Sequence, residues 1–199
     1  MPTDELRAVA GIVLAAGSSK RMGRNKLLLH LDGESVLRRV VRHASAAQLD
    51  PLVVVLPPHS ARIVSELSGF SCRPAENPDP GRGQPSSLSV GIEALPGGVG
   101  AVVVLLGDMP LVTEAMIAAV VRRYRETGAS LVVSDYGGVA APPTLYGRAL
   151  FEELRAAAAE EGGRTVVARH RAKAASVRWP PEALADLDVP EDYARLSGG

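Results

Sequence analysis

A single cysteine, Cys72, stands among 199 residues, so the chain builds neither a disulfide framework nor a cluster of thiolate ligands, each of which needs at least two. A reducing, cytoplasmic setting is the expectation. Aromatic side chains are scarce at 4%, which leaves Ala, Val and Leu to fill the core. Neither sign of charge is in excess, since 22 basic and 22 acidic side chains cancel. That balance argues against partners held mainly by electrostatics, such as nucleic acid or an anionic membrane face. Long apolar runs are missing too. The longest, Ala101 to Leu106, has six residues, against the roughly 20 that span a bilayer. The opening Met1-Pro2-Thr3-Asp4-Glu5-Leu6-Arg7 is acidic and lacks the basic start and apolar stretch of a signal peptide. What is abundant is aliphatic: hydrophobic residues reach 46%, enough to exclude disorder over most of the chain and to support one domain over residues 1–199.

Short β-branched runs alternate with helical periodicity, the pattern of βαβ units on a mainly parallel sheet. Val9 to Ala15, Leu52 to Leu56 and Ala101 to Leu106 are continuous apolar strands of the kind covered on both faces. Helical spacing recurs at Val36, Leu37, Val40, Val41 and Ala44, more briefly at Ile63, Val64 and Leu67, then at Leu88, Ile92 and Leu95, and at Ile117, Val120, Val121 and Tyr124 behind a Thr113 cap. Leu131 to Ser134 predicts a strand ended by the turn Asp135-Tyr136-Gly137-Gly138, Leu150 to Ala159 a helix, Ala175 to Val177 a last strand and Pro190 to Leu196 a closing helix.

The first strand runs into Gly17-Ser18-Ser19-Lys20-Arg21-Met22-Gly23-Arg24-Asn25-Lys26, a loop of small residues carrying four cations. Ligands of open α/β sheets bind at the carboxyl ends of the strands, where this loop lies. Small side chains let backbone N–H groups approach phosphate oxygens, and the cations neutralise the charge. Two familiar phosphate loops are excluded by spacing. Five residues separate Gly17 from Gly23, which breaks the dinucleotide fingerprint, and Gly23 is followed by Arg24 and Asn25 where a Walker A loop needs Lys and Ser or Thr.

Asp108 follows the six-residue strand and Gly107, which puts it on the same rim as the loop; a turn or helix-capping aspartate is the competing reading. Asp186 and Asp188 are two apart and face one way in an extended segment, with Asp188 also a candidate cap for the helix at Pro190. Were Asp108 and Asp188 to meet within about 5 Å, their repulsion would be on the order of 3 kcal/mol at an effective dielectric near 20. A divalent cation removes that cost, and Mg2+ is commonly held by one or two carboxylates plus phosphates and waters. The four histidines, His30, His43, His59 and His170, show no ligand spacing.

The run Leu14-Ala15-Ala16-Gly17-x-Ser19-x-Arg21-Met22-Gly23-x-x-Lys26 is similar to the opening motif of the MobA-like nucleotidyltransferases, and within them the MocA branch of molybdenum cofactor cytidylyltransferases. Further segments resemble family motifs in family order. They are Asn77-Pro78, Ser86-Ser87-Leu88, Leu106-Gly107-Asp108-Met109-Pro110-Leu111, Pro143 to Leu145 with Arg148 and Phe151, Gly163-Arg164, and Asp186-Leu187-Asp188-Val189-Pro190-Glu191-Asp192-Tyr193. The resemblance implies a Rossmann-like three-layer sandwich and attack by an acceptor's terminal phosphate on the α-phosphorus of a nucleoside triphosphate. It implies nucleotide contacts from Leu14, Ala15, Ala16, Gly17, Ser18, Ser19, Arg21, Lys26 and Asn77. Arg21, Lys26 and Asp108 become the catalytic set, with Mg2+ on Asp108 and Asp188, the latter preferred to Asp186. Ser86, Ser87, Pro143 and Arg164 fall to the acceptor, although the two serines are as readily helix caps. The family's guanylyltransferases carry Leu-Ala-Gly-Gly where this chain has Leu14-Ala15-Ala16-Gly17, so Ala16 suggests CTP.

Three stretches depart from the family's usual form: Gln84-Pro85 before Ser86-Ser87, Glu160-Glu161-Gly162 before Gly163-Arg164, and Ala141-Pro142 before Pro143. All lie where the acceptor is expected, so the reaction class is firmer than the acceptor. The favoured reading is transfer of CMP from CTP to molybdopterin with release of pyrophosphate, the product passing to a molybdoenzyme or its maturation chaperone. Alternatives are another nucleotide or phosphorylated acceptor, and a non-catalytic nucleotide-binding module in molybdoenzyme maturation.

Overall fold

In the parallel strands every other side chain must be apolar on each face, and the uninterrupted Val and Leu runs satisfy both faces at once. The computed structural model describes residues 8–17, 25–157, 162–184, 187 and 190–196. In chain order it runs β1 (Val9–Leu14), the hairpin β2 (His30–Leu31) and β3 (Glu34–Ser35), α1 (Val36–Ala46), β4 (Leu52–Leu56), α2 (Ala61–Ser65) and β5 (Arg73–Glu76). There follow α3 (Gln84–Glu93), β6 (Ala101–Leu106), α4 (Glu114–Thr127), β7 (Leu131–Tyr136), β8 (Val139–Gly147), α5 (Phe151–Ala156), α6 (Gly163–His170), β9 (Ala175–Trp179) and α7 (Pro190–Leu196).

Seven of these strands make one sheet in the order β5-β4-β1-β6-β8-β7-β9, parallel except where β8 pairs antiparallel with β6 and β7. The apolar runs divide by parity. Val13, Val54 and Val103 pack with Leu37, Val41, Ile117 and Val120 of α1 and α4, whereas Ile12, Val55 and Val104 pack with Leu88, Ile92 and Leu154 of α3 and α5. Helix, sheet and helix form three layers, as the alternation of elements requires. Val64 departs from its expected buried face: it is 43% exposed, because α2 has only five residues and buries Ile63 instead.

Several elements escape the apolar pattern. Strand β5 reads Arg-Pro-Ala-Glu and lies at the sheet edge, where Pro74 need not donate to a further neighbour. Strand β8 contains Pro142 and Pro143, which sit where the β7 register jumps from Val132↔Leu145 to Ser134↔Ala141, a bulge that spares them ladder hydrogen bonds. The β2–β3 hairpin turns on Asp32 and Gly33, both at positive φ, and α6, Gly163–His170, is a helix that the apolar spacing does not predict. Strands β7 and β9 each run to an aromatic two residues beyond the expected end, so the turn after β7 is Gly137-Gly138 alone. Among the described residues no helix is long and apolar enough to cross a membrane.

Candidate active site

Strands β1 and β6 are neighbours in register, Leu14 opposite Leu106, and they release their chains at the same rim. There Gly107 N–H donates to the carbonyl of Leu14 at 2.9 Å, while Ala15 N–H reaches across to Val55. A Cβ on Gly107 would stand 3.2 Å from both the Leu14 carbonyl oxygen and Ala15 Cβ, so the glycine permits this close approach. Asp108 is the next residue. Lys26 meets it from the other side, held on a one-turn 3-10 segment that Asn25 caps by accepting from Leu27 N–H and that buried Leu27 pins to the core. Lys26 Nζ lies 2.5 Å from Asp108 Oδ2, and the two side chains are only 12% and 18% exposed. A short, largely desolvated ion pair of this kind is strong and directional.

Two cavities open on either side of that pair. The first, about 370 Å3, is walled by Leu14, Ala15, Ala16 and Gly17 of the first loop and by Pro80, Gly81, Gly83, Gln84 and Ser87 around the start of α3. The second, about 800 Å3, lies over β8 and α6 and takes in Pro142, Tyr146, Arg164 and Arg171. Lys26, Asp108, Leu14, Gly17, Gln84 and Leu106 belong to both. The cavities therefore meet at the cation and the carboxylate, which is where two substrates would exchange a group.

The remaining expected residues fall in different places. Asn77 is 1% exposed, and its amide nitrogen donates to Ser86 Oγ at 2.9 Å and Ser87 Oγ at 3.0 Å while its oxygen accepts from Asp79 N–H. Its donors are thus spent within the protein, and it shapes the first cavity through Ser87. Ser86 donates to the carbonyl of Gly83 at 2.9 Å and borders neither cavity, while Ser87 borders the first cavity rather than the second. Neither serine is the helix cap, a position that Gly83 takes. Pro143 is buried with its carbonyl accepting from Ser134 Oγ, and its neighbour Pro142 takes the place in the second cavity. Arg164 does border that cavity. Ser18, Ser19, Arg21, Asp186 and Asp188 lie outside the described residues. Between the two acids, however, Leu187 is fully buried and its N–H donates to the carbonyl of Asp108 at 3.1 Å. The late motif is thereby tied to the strand end that carries Asp108.

Sequence reasoning gave no site role to Pro80 and Gly81, set Gln84 on the acceptor side alone, and passed over Tyr146, whose hydroxyl donates to the Gly163 carbonyl at 3.3 Å and whose pKa burial drives well above the usual phenol range. The Gly-rich composition of residues 81–83 beside a helix start was the available signal for the first of these.

A cavity at parallel strand ends, joined through a half-buried Lys–Asp pair to a second cavity, is the arrangement of a group transferase with two substrates. Comparison with known proteins narrows this class. The MobA-like NTP transferase domain matches residues 11–174, and the chain belongs to that family. It is 30% identical over 198 residues to the purine catabolism protein PucB of Bacillus subtilis (strain 168), covering 92% of this chain and 93% of that one. Over 192 residues it is 28% identical to the molybdenum cofactor guanylyltransferase of Rhodobacter capsulatus, with 94% of each chain covered. Among solved structures, Rv0371c of Mycobacterium tuberculosis H37Rv superposes with a TM-score of 0.81 at 26% identity, covering 96% of this chain and 98% of its own. A manganese complex of the same protein superposes with a TM-score of 0.77, again at 26% identity and covering 96% of this chain and 97% of that one.

Proposed function

We propose that the protein transfers CMP from CTP to the terminal phosphate of molybdopterin, releasing pyrophosphate. The observation that carries this reading is the Lys26–Asp108 pair at the junction of the two cavities. An oxygen of the acceptor's phosphate attacks the α-phosphorus, a new P–O bond forms, the bond from the α-phosphorus to the α–β bridging oxygen breaks, and pyrophosphate departs with that electron pair. A phosphate monoester is already anionic at neutral pH, so no base is needed to make the nucleophile. Catalysis is then positioning and charge neutralisation. Lys26 supplies a point charge toward the triphosphate, and Arg21 is assigned to the same phosphates as a bidentate fork. Backbone groups of Ala15, Ala16 and Gly17 approach the base and ribose, Leu14, Ser18 and Ser19 are assigned to the nucleotide with them, and Asn77 acts through Ser87.

Among the described residues no group of three His, Cys, Asp or Glu side chains forms a metal cage. Asp108, with the 186–188 segment tied to its carbonyl through Leu187, offers the sparse oxygen set that suits Mg2+ completed by substrate phosphates. Asp108 and Asp188 would hold the ion, which when bound neutralises phosphate charge. That the mycobacterial relative has a manganese complex supports a divalent cation in this reading. Ala16 supports CTP over GTP, and the Rhodobacter relative's name supports a molybdenum cofactor acceptor. The second cavity has a mainly aliphatic wall, with Gln84, Thr144, Tyr146, Arg164 and Arg171 among the polar groups that would meet an acceptor.

The test is pyrophosphate release from each of the four ribonucleoside triphosphates with Mg2+ and molybdopterin, repeated with Asp108→Ala. Release with CTP should fall at least about 100-fold in the variant, the scale of losing a group that stabilises transition-state charge. Binding of CTP without release under any combination identifies a nucleotide-binding module instead. Release that occurs only with a different phosphorylated acceptor keeps the chemistry and removes molybdopterin.

A further inference from the structure

Helix α6 brings Arg164 to the second cavity, yet little within α6 fixes where it starts. It has eight residues, opens on Gly162 and Gly163, and has neither a side-chain cap nor an acidic residue in its first turn. A helix this short is marginal by itself, so tertiary contacts decide its position. Arg164 is exposed, and no described residue takes a hydrogen bond or ion pair from its side chain. Its guanidinium is therefore open to a ligand, and the peptide that carries it must be held from elsewhere.

Tyr146 reaches that peptide. It stands on β8 between Val102 of β6 and Leu131 of β7, and it is 4% exposed in a cluster with Leu88, Leu154 and Val166. Its hydroxyl donates to the carbonyl of Gly163 at 3.3 Å, which is the carbonyl of the peptide bond to Arg164. A Cβ on Gly163 would stand 2.8 Å from Tyr146 Oη, 3.7 Å from its Cζ and 3.4 Å from Leu88 Cδ2. The last two are ordinary contacts, so it is the hydroxyl alone that requires glycine there. Burial keeps this hydroxyl protonated well above neutral pH, and it stays a donor. On the other flank Gly162, at φ 59°, has Pro85 Cα 3.0 Å from the place of a Cβ, so the start of α3 is a second stop against α6.

We infer that Tyr146 is a positioning residue for the acceptor, its hydroxyl pinning the Gly163–Arg164 peptide so that Arg164 meets the phosphate ester in the second cavity. Tyr146 borders this cavity too, but its proton is spent on α6, and its effect on the ligand passes through Arg164. The inference rests on the proposed use of this cavity for the acceptor, and it deepens that reading by naming what orients the arginine. It also accounts for glycine in the first turn of α6, where alanine has the higher helix propensity.

Phenyl phosphate, one monoester on a flat ring, tests this without turnover. Calorimetric titration of Arg164→Gln first shows how much of the binding that arginine supplies. Tyr146→Phe should weaken binding roughly threefold to tenfold, the scale of one neutral hydrogen bond. In the Arg164→Gln background it should have no further effect, because residues that act through one another are not additive. Gly163→Ala should weaken binding by driving a methyl group into the hydroxyl, and adding Tyr146→Phe should bring affinity back to the level of Tyr146→Phe alone. Loss of packing does not produce that reversal of sign. A cooperative thermal transition in each variant shows that the fold is intact, and Tyr146→Phe, Arg164→Gln and their double variant decide the matter should Gly163→Ala fail to fold. Unaltered binding in Tyr146→Phe, an equal loss with and without Arg164, a Gly163→Ala/Tyr146→Phe variant weaker than Gly163→Ala, or phenyl phosphate binding that is absent or indifferent to Arg164→Gln would each overturn the assignment. Absence of pyrophosphate release with every nucleotide and acceptor, alongside the intact coupling, would instead condemn the proposed reaction and spare the positioning role.

Discussion

At the scale of single residues the tightest constraint on the nucleotide side is Gly91, in the middle of α3. A Cβ there would stand 2.7 Å from Ile12 Cγ2 and 3.2 Å from Val55 Cγ2, and Ile12 is fully buried with nowhere to move. Gly91→Ala gains helix propensity of about 1 kcal/mol but forces overpacking that costs about 1–3 kcal/mol. The net expectation is a thermal midpoint lower by up to about 8 °C, since 1 kcal/mol corresponds to roughly 2–4 °C at this chain length. Because α3 carries Gln84 and Ser87 to the first cavity, the KM for the triphosphate should rise in the same variant, measured by steady-state pyrophosphate release. Asp108 and Lys26 could be singled out from sequence because each follows a recognisable strand end or glycine loop. The fate of Asn77 could not, because its isolation from the cavity depends on Ser86 and Ser87 turning inward nine and ten residues later.

Elements are joined by a titratable contact on the opposite side of the sheet from α3. His43 of α1 accepts, through Nδ1, the backbone N–H of Glu114, the first residue of α4, at 3.3 Å. Burial and then the neighbouring Arg42 hold its pKa below the ordinary histidine value of 6.5, with Arg39 acting the same way and Glu34 and Glu114 opposing. The unfolded chain therefore takes up this proton at higher pH than the folded one. Stability is full above about pH 6.5 and declines as the pH falls through the histidine range toward the folded pKa. The urea midpoint should be higher at pH 7.5 than at pH 5.5, and His43→Gln, which keeps an acceptor and removes the titration, should flatten that slope. Glu34 and Glu153 are held below the usual carboxylate range mainly by hydrogen bonds from Arg42 and His170 respectively, so their contribution is lost only at lower pH and stays outside this window. At this scale the parallel strands and the amphipathic α1 and α4 were legible, because burial on both faces or on one leaves a periodic record. Strands β5 and β8 were not. An edge position and a bulge both admit proline, which in isolation signals a break.

The whole molecule divides its work along the sheet. Every described residue that lines the nucleotide cavity precedes Met109, whereas the second cavity adds residues from Met109 to Leu184, most of them on β8 and α6. Antiparallel β8, inserted between β6 and β7, is the element that begins the second half. Exchange of residues 139–171 for the matching segment of a relative with a different acceptor should shift acceptor preference and leave triphosphate preference in place, as read by product analysis under competing substrates. A change of both preferences together would contradict this division. Because β8 and α6 wall only the second cavity, the choice of recipient can be reshaped there while the donor's cradle is left untouched.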